Sequence, residues 1–122
     1  MAPPAVLIID DETSLARNLA VYLRRSGFDV RTAATAEDGL ETLDEFQPAL
    51  VLCDHDLPGM TGLEAVRRIR RRDVATQVVV VSGSGNRTLA GAARQAGAAD
   101  FLTKPVALAD VRRLVERLVG PA

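Results

Sequence analysis

The 122-residue chain holds one cysteine, one histidine and, among its 15 basic residues, one lysine. Cys53 has no partner for an internal disulfide, and its place at the end of the apolar run Ala-Leu-Val-Leu-Cys predicts burial, not a redox role. No apolar run approaches the ~20 residues that a spanning helix needs. The start Met-Ala-Pro-Pro-Ala lacks the charged and apolar segments of a signal peptide, so a cytoplasmic location is expected. Charge of one sign is also lacking. The net charge is −1 and the pI about 5.8, which excludes a general pull toward nucleic acid or an acidic membrane. The local cluster Arg67, Arg68, Arg70, Arg71 and Arg72 reads as a solvated helix end.

Hydrophobic residues make up 48% and charged residues 25%, which fits a folded globular chain. The length suits one domain, 1–122, with its core over about 5–119. Lys104 stands alone against 14 arginines, and a compact ammonium differs enough from a planar guanidinium that its place invites a chemical reason.

Apolar runs rich in β-branched residues recur at 5–9, 49–53 and 77–81, with shorter ones at 28–32 and 100–103; these predict strands. Helical spacing fills the intervals. Leu15, Leu19, Tyr22 and Leu23 share a face that Gly27 ends; Leu40, Leu43 and Phe46 follow Thr35 as N-cap and stop before Pro48. Leu63, Val66 and Ile69 mark a third helix, and Val111, Leu114, Val115, Leu118 and Val119 a fifth. The fourth, 87–96, is rich in alanine with Gly91 inside, so it is expected to be weakly held.

Five alternations of strand and helix, with the central strands apolar on both faces, predict an α/β fold: a (βα)5 doubly wound, five-stranded parallel sheet with helices on both sides. Such sheets bind ligands beyond the carboxyl ends of their strands. The residues at those ends are Asp10, Asp11 and Glu12, then Asp54, Ser82 and Lys104. Carboxylates crowded there raise one another's pKa unless a cation offsets them, and oxygen-only ligands suit Mg²⁺, with Mn²⁺ as an alternative, better than zinc. For the acidic pair alone a second reading stands equal: Asp11 or Glu12 caps the first helix. A carboxylate beside Mg²⁺ is also a nucleophile toward phosphorus, with Lys104 and Ser82 placed to contact phosphoryl oxygens; taken alone, Ser82 reads equally as a strand-end turn residue and Lys104 as a surface lysine.

Four segments appear in a known order: Val-Leu-Ile-Ile-Asp-Asp-Glu, Leu-Cys-Asp54-His-Asp-Leu-Pro-Gly-Met-Thr-Gly, Val-Val-Ser82-Gly and Phe-Leu-Thr-Lys104-Pro. With them the chain resembles response-regulator receiver domains over nearly its whole length. The resemblance implies a flavodoxin-like sheet of order 2-1-3-4-5 and a phosphorelay role. Asp54, four residues before Pro58 and eight before Gly62, would be the phosphoacceptor, with Ser82 and Lys104 assisting. Mg²⁺ would be held by Asp11, Asp54 and the backbone carbonyl of Asp56, with Asp10 acting through water.

The implied donor is a phosphohistidine on a sensor histidine kinase or phosphotransfer protein, and the receiver of the signal an output domain or target protein. Phosphotransfer would be self-catalysed and acyl-phosphate hydrolysis slow, in a signalling protein and not an enzyme. Ser82 and Phe101 would form the switch, with Phe101 also readable as a core residue, and output would pass through the fourth helix, fifth strand and fifth helix. That face also offers a phosphorylation-dependent dimer; direct contact with nucleic acid or membrane is not expected. His55 is expected to point away from the site by strand alternation. Departures from the family's usual residues are Ser82 and Gly83, and Asp56 with Ser84 would set the phosphoryl lifetime.

Three other readings compete. Asp54-His55-Asp56 resembles the nucleophile motif of haloacid-dehalogenase-like phosphatases, although that family carries it on the first strand. A flavin-mononucleotide binder would need a phosphate loop where this chain has three acids. A receiver-like interaction module that never carries phosphate is the third.

Overall fold

A computed structural model describes residues 2–73, 75–83 and 87–122. Five strands alternate with five helices: β1 Ala5–Ile9, α1 Thr13–Arg25, β2 Asp29–Ala33, α2 Ala36–Phe46, β3 Leu50–Asp54, α3 Gly62–Arg72, β4 Gln77–Ser82, α4 Arg87–Ala96, β5 Asp100–Thr103 and α5 Leu108–Val119. The strands form one parallel sheet in the order β2-β1-β3-β4-β5. The predicted elements are all present. Boundaries move by about one residue: β2 and β3 each begin and end one position later than expected, and β4 extends to Ser82.

Strand alternation divides the core. Val6 and Ile8 of β1, Leu50 and Leu52 of β3 and Val79 of β4 pack with Ala16, Leu19, Leu23, Val111 and Val115 of α1 and α5. The intervening residues Leu7, Ile9, Val51, Cys53, Val78 and Val80 face α2, α3 and α4 on the other side. Each fully buried aliphatic side chain stabilises the fold by about 1.5–3 kcal/mol. Small residues let helices approach closely: a Cβ at Gly39 of α2 would run into the Ile9 side chain. In α1, Ala16 and Ala20 are buried beside the predicted leucines, while Leu15 and Tyr22 lie at the margin of the face.

Local signals end the helices where the sequence places them. Gly27, with φ of 102°, donates its N–H to the Arg24 carbonyl, and Phe28 donates to Leu23; together these close α1 as a Schellman turn. Thr35 Oγ1 accepts from Asp38 N at 3.1 Å to cap α2. Thr61 does the same for α3 with Glu64 N at 3.2 Å. Only Ala93 of α4 is buried, in accord with its weak sequence signal.

The arginine cluster corrects an expectation. Arg67 and Arg68 pair with Glu64 on the exposed surface, but two neighbours tie elements together. Arg70 Nη1 donates to the Thr76 carbonyl at 2.9 Å, and Arg72 Nη1 reaches both the Leu40 carbonyl at 3.0 Å and Asp44 at 2.9 Å. The Thr76 carbonyl lies in the loop before β4, where no helix supplies a donor; the Leu40 carbonyl lies inside α2, and the guanidinium reaches it from α3 together with Asp44. Among the described residues, no helix is long and apolar enough to cross a membrane.

Candidate functional site

The strand register brings the predicted residues to one level. Ile9 lies beside Cys53, Asp54 beside Val81, and Ser82 beside Thr103, so the residues at and just after these positions share one edge. The order β2-β1-β3 reverses the winding direction at β1, which opens a crevice between the ends of β1 and β3. Asp10 and Asp54 stand at its two sides. Asp54 continues the Leu50 and Leu52 parity, and Asp10 that of Val6 and Ile8, so both acids share the α1–α5 side of the sheet.

Asp54 is 4% exposed and Asp10 7%. Burial of two acids needs compensation, and hydrogen bonds and one cation supply it. Asp10 Oδ1 accepts from Glu12 N at 2.9 Å, and Asp54 Oδ1 from Asp56 N at 3.1 Å. Lys104 Nζ lies 3.3 Å from Asp54 Oδ2, 3.4 Å from Asp10 Oδ2 and 3.4 Å from Glu12 Oε1. The Lys104 backbone is itself anchored, its N–H donating to the Ser82 carbonyl at 2.8 Å. The peptide bond from Lys104 to Pro105 is cis.

One ammonium does not neutralise this set. Burial pushes the Asp10 pKa above its ordinary value, and the neighbouring Asp54 adds to the effect. The Glu12 N–H and Lys104 act the other way without cancelling it. For Lys104, burial alone lowers the pKa, but the charges of Asp10 and Asp54 and hydrogen bonds to Asp54 and Glu12 outweigh it, leaving the value raised. Asp11 is exposed at the mouth, and oxygens of Asp10, Asp11 and Asp54 all lie within 4.8 Å of one another. That spacing and an all-oxygen donor set fit a hard divalent cation.

The capping reading of the acidic pair does not hold for Glu12. It is the N-cap of α1 but makes no side-chain cap hydrogen bond, and its carboxylate turns to Lys104 instead. Its contact with Lys104 went unpredicted; the only sequence signal was its place in the acidic run.

Ser82 is fully buried at the end of β4. Phe101 on β5 is half-buried and packs against the α2–α4 side of the core. Asp56 is exposed and meets Asp54 through its backbone N–H. His55 continues the Cys53 parity, its Cβ lying 3.3 Å from where a Cβ of Gly62 would stand, and its Nδ1 is buried without a hydrogen-bond partner among the described residues. Ser84 lies outside the described residues. Cys53 is fully buried as expected, and burial pushes its thiol pKa up to about 12.

Comparison with known proteins agrees with this architecture. A family model for the response regulator receiver domain matches residues 6–116. The transcriptional regulatory protein AfsQ1 of Streptomyces coelicolor is 37% identical over 103 residues, covering 84% of this chain and 45% of AfsQ1. The transcriptional activator protein ExaE of Pseudomonas putida is 37% identical over 117 residues, covering 94% of this chain and 55% of ExaE. The chain thus spans about half the length of these relatives. The CheX-CheY-BeF3-Mg²⁺ complex from Borrelia burgdorferi contains a chain with a TM-score of 0.88 and 27% identity, over 94% of this chain and 88% of that one. With the parallel sheet of order 2-1-3-4-5 and the acids at its β1–β3 crevice, these matches establish that the chain belongs to the response regulator receiver domain family.

Proposed function

We propose that this receiver domain is a Mg²⁺-dependent phosphoacceptor whose Asp54 takes a phosphoryl group from a phosphohistidine of a sensor histidine kinase or phosphotransfer protein. The observation that carries the reading is the position of Lys104 Nζ, 3.3 Å from Asp54 Oδ2 and 3.4 Å from Asp10 Oδ2, beside three acids spaced for a cation. In the transfer an Asp54 carboxylate oxygen forms a bond to phosphorus while the phosphorus–nitrogen bond of the donor breaks. The electron pair leaves with the imidazole nitrogen, which takes up a proton. Positioning and charge stabilisation suffice for such a step.

Asp11, Asp54 and the Asp56 backbone carbonyl would hold Mg²⁺, with Asp10 acting through water; Mn²⁺ has the same donor preference. When bound, the ion supplies charge that screens the carboxylate from incoming phosphoryl oxygens. Lys104 pairs with one phosphoryl oxygen, and the Ser82 hydroxyl donates to another. As Ser82 shifts, Phe101 follows inward, and α4, β5 and α5 present the result. The thin packing of α4 supports that role, since elements that move come from the weakly held end of a structure. Asp56 and Ser84 set the rate of acyl-phosphate hydrolysis, and an output domain or target protein reads the changed face.

Backbone NMR with Mg²⁺ and BeF3⁻, which stands in for a phosphoryl group on a carboxylate, tests the reading. Large shifts are expected at Ser82, Phe101, Lys104 and along α4. An unchanged spectrum, or the same shifts in Asp54→Asn, would remove it. A non-phosphorylated interaction module predicts the unchanged spectrum. The phosphatase reading predicts turnover of a generic phosphomonoester, and none is expected.

A further inference from the structure

Two neighbouring helices carry opposite charge. All five charged residues of α2 are acidic, whereas five of the six on α3 are arginine. Because α2 and α3 follow parallel strands on the same side of the sheet, they run in the same direction. Glu37, Glu41 and Asp44 recur at i, i+4 and i+7, and Asp44 is the residue that meets Arg72, so this row flanks α3. Glu64, Arg68, Arg71 and Arg72 form the matching row of α3 and, with Leu40, line an open groove of ≈ 270 Å³. Down the groove the sign changes. Glu37 and Glu64 stand in the first turns, and Arg71 and Arg72 in the last turn of α3.

Helix dipoles account for the signs along α3, since acids favour N-termini and bases C-termini, but not for Asp44 and Glu45 in the last turn of α2. They do not supply each charge with a partner. Glu64 is shared by Arg67 and Arg68, and Asp44 is taken by Arg72. Glu37, Asp38, Glu41 and Arg71 are exposed and in no ion pair among the described residues.

We propose that the α2–α3 face is a self-complementary surface on which a second copy of this chain docks about a two-fold axis. A polyanion fits poorly, because the acidic row of α2 lies alongside the arginines and would repel it. A two-fold axis lying in the face and parallel to the helices sets α2 of each copy on α3 of the other. The acidic row of each α2 then meets the arginine row of the partner's α3, and every pairing occurs twice. The face offers little exposed apolar surface, as Val21 on α1 is the exposed large hydrophobic residue among those described. The contact is therefore electrostatic, weak and sensitive to salt. It lies apart from the α4-β5-α5 face, and we take it to form without phosphorylation.

Sedimentation velocity on the full chain, with Asp54→Asn present to keep phosphorylation silent, tests this. At ionic strength near 10 mM, where the screening length is ~30 Å, dimers are expected at high protein concentration; near 1 M, where it is ~3 Å, monomers are expected. Two variants decide the geometry: Arg67→Glu/Arg68→Glu/Arg71→Glu and Glu37→Arg/Glu41→Arg, each first shown by thermal melting to fold. Either alone should associate about tenfold or more weakly than the parent, and an equal mixture should recover association as a heterodimer. A parent chain that stays monomeric at low salt overturns the proposal, as does association unchanged in both variants or not recovered in the mixture. Loss of duplex-DNA binding in the arginine variant, with the parent monomeric throughout, would make the patch a polyanion site and would equally overturn it.

Discussion

The ammonium of Lys104 stands 3.3 Å from the carboxylate of Asp54, two residues 50 positions apart in the chain and brought together by the ends of β5 and β3. The same ammonium is 3.4 Å from Asp10, so one cation spans the crevice between β1 and β3. Its loss should be felt in stability and in signalling.

Replacing Lys104 with methionine leaves Asp10 and Asp54 facing each other without a cation. Metal-free stability at pH 7 should fall by about 1–3 kcal/mol, and Mg²⁺, which the variant is expected to bind, should restore part of it. The folded-state pKa of Lys104 is raised, so its contribution is complete below the ordinary value of 10.5 and is lost as pH rises through the folded value. Urea midpoints of parent and variant should therefore keep their difference up to about pH 10.5 and converge only as pH rises through the raised folded value. Phosphorylation-dependent partner binding should be lost in the variant, and its persistence would contradict the role given to Lys104.

Asp10→Asn should act in the opposite direction on stability. Burial, helped by Asp54, holds the Asp10 pKa above its usual value, so the ionised form disfavours the folded state at neutral pH. The neutral isostere should stabilise the metal-free protein at pH 7, and the gain should vanish below about pH 4, where both states are protonated. Mg²⁺ affinity, measured by calorimetry, should drop by about 10–100-fold. A variant that is less stable at pH 7 would show that the Lys104 contact outweighs the burial.

A methyl group at Gly62 has no room, since a Cβ there would lie 2.7 Å from His55 Cα and 3.2 Å from the Asp54 carbonyl oxygen. Gly62→Ala should cost about 1–3 kcal/mol by overpacking and should slow phosphorylation, because the atoms pushed aside belong to the strand end that carries Asp54. Urea unfolding and the rate with acetyl phosphate measure the two effects. Parent-like values in both would mean that α3 moves aside freely.

The thiol of Cys53 should be silent in the native protein. With its pKa pushed from 9.0 to about 12 and no exposed surface, the thiolate is absent at pH 8. Iodoacetamide should label it only after unfolding, and labelling of the native chain would place the thiol at the surface.

The sequence made the fold legible because each element is marked locally. β-Branched runs, the Thr35 cap, Gly27 and the leucine rows act within a few residues, and the strand ends then follow from topology. The Asp10, Asp54, Ser82 and Lys104 positions were legible for the same reason, since each stands at or just after a strand end. Long-range contacts were not. Arg70 and Arg72 resemble their solvated neighbours in sequence, and only the packed α2 and the loop at Thr76 reveal what their guanidinium groups hold. Glu12 reads equally well as a cap until Lys104, 92 residues away, is placed beside it.

The most direct test of the central claim is the intact mass of the chain after incubation with acetyl phosphate and Mg²⁺. The account predicts the addition of one phosphoryl group, dependent on the metal, absent in Asp54→Asn and retained in Asp56→Asn. An unchanged mass in the parent chain, or a phosphoryl group that survives in Asp54→Asn, would contradict it.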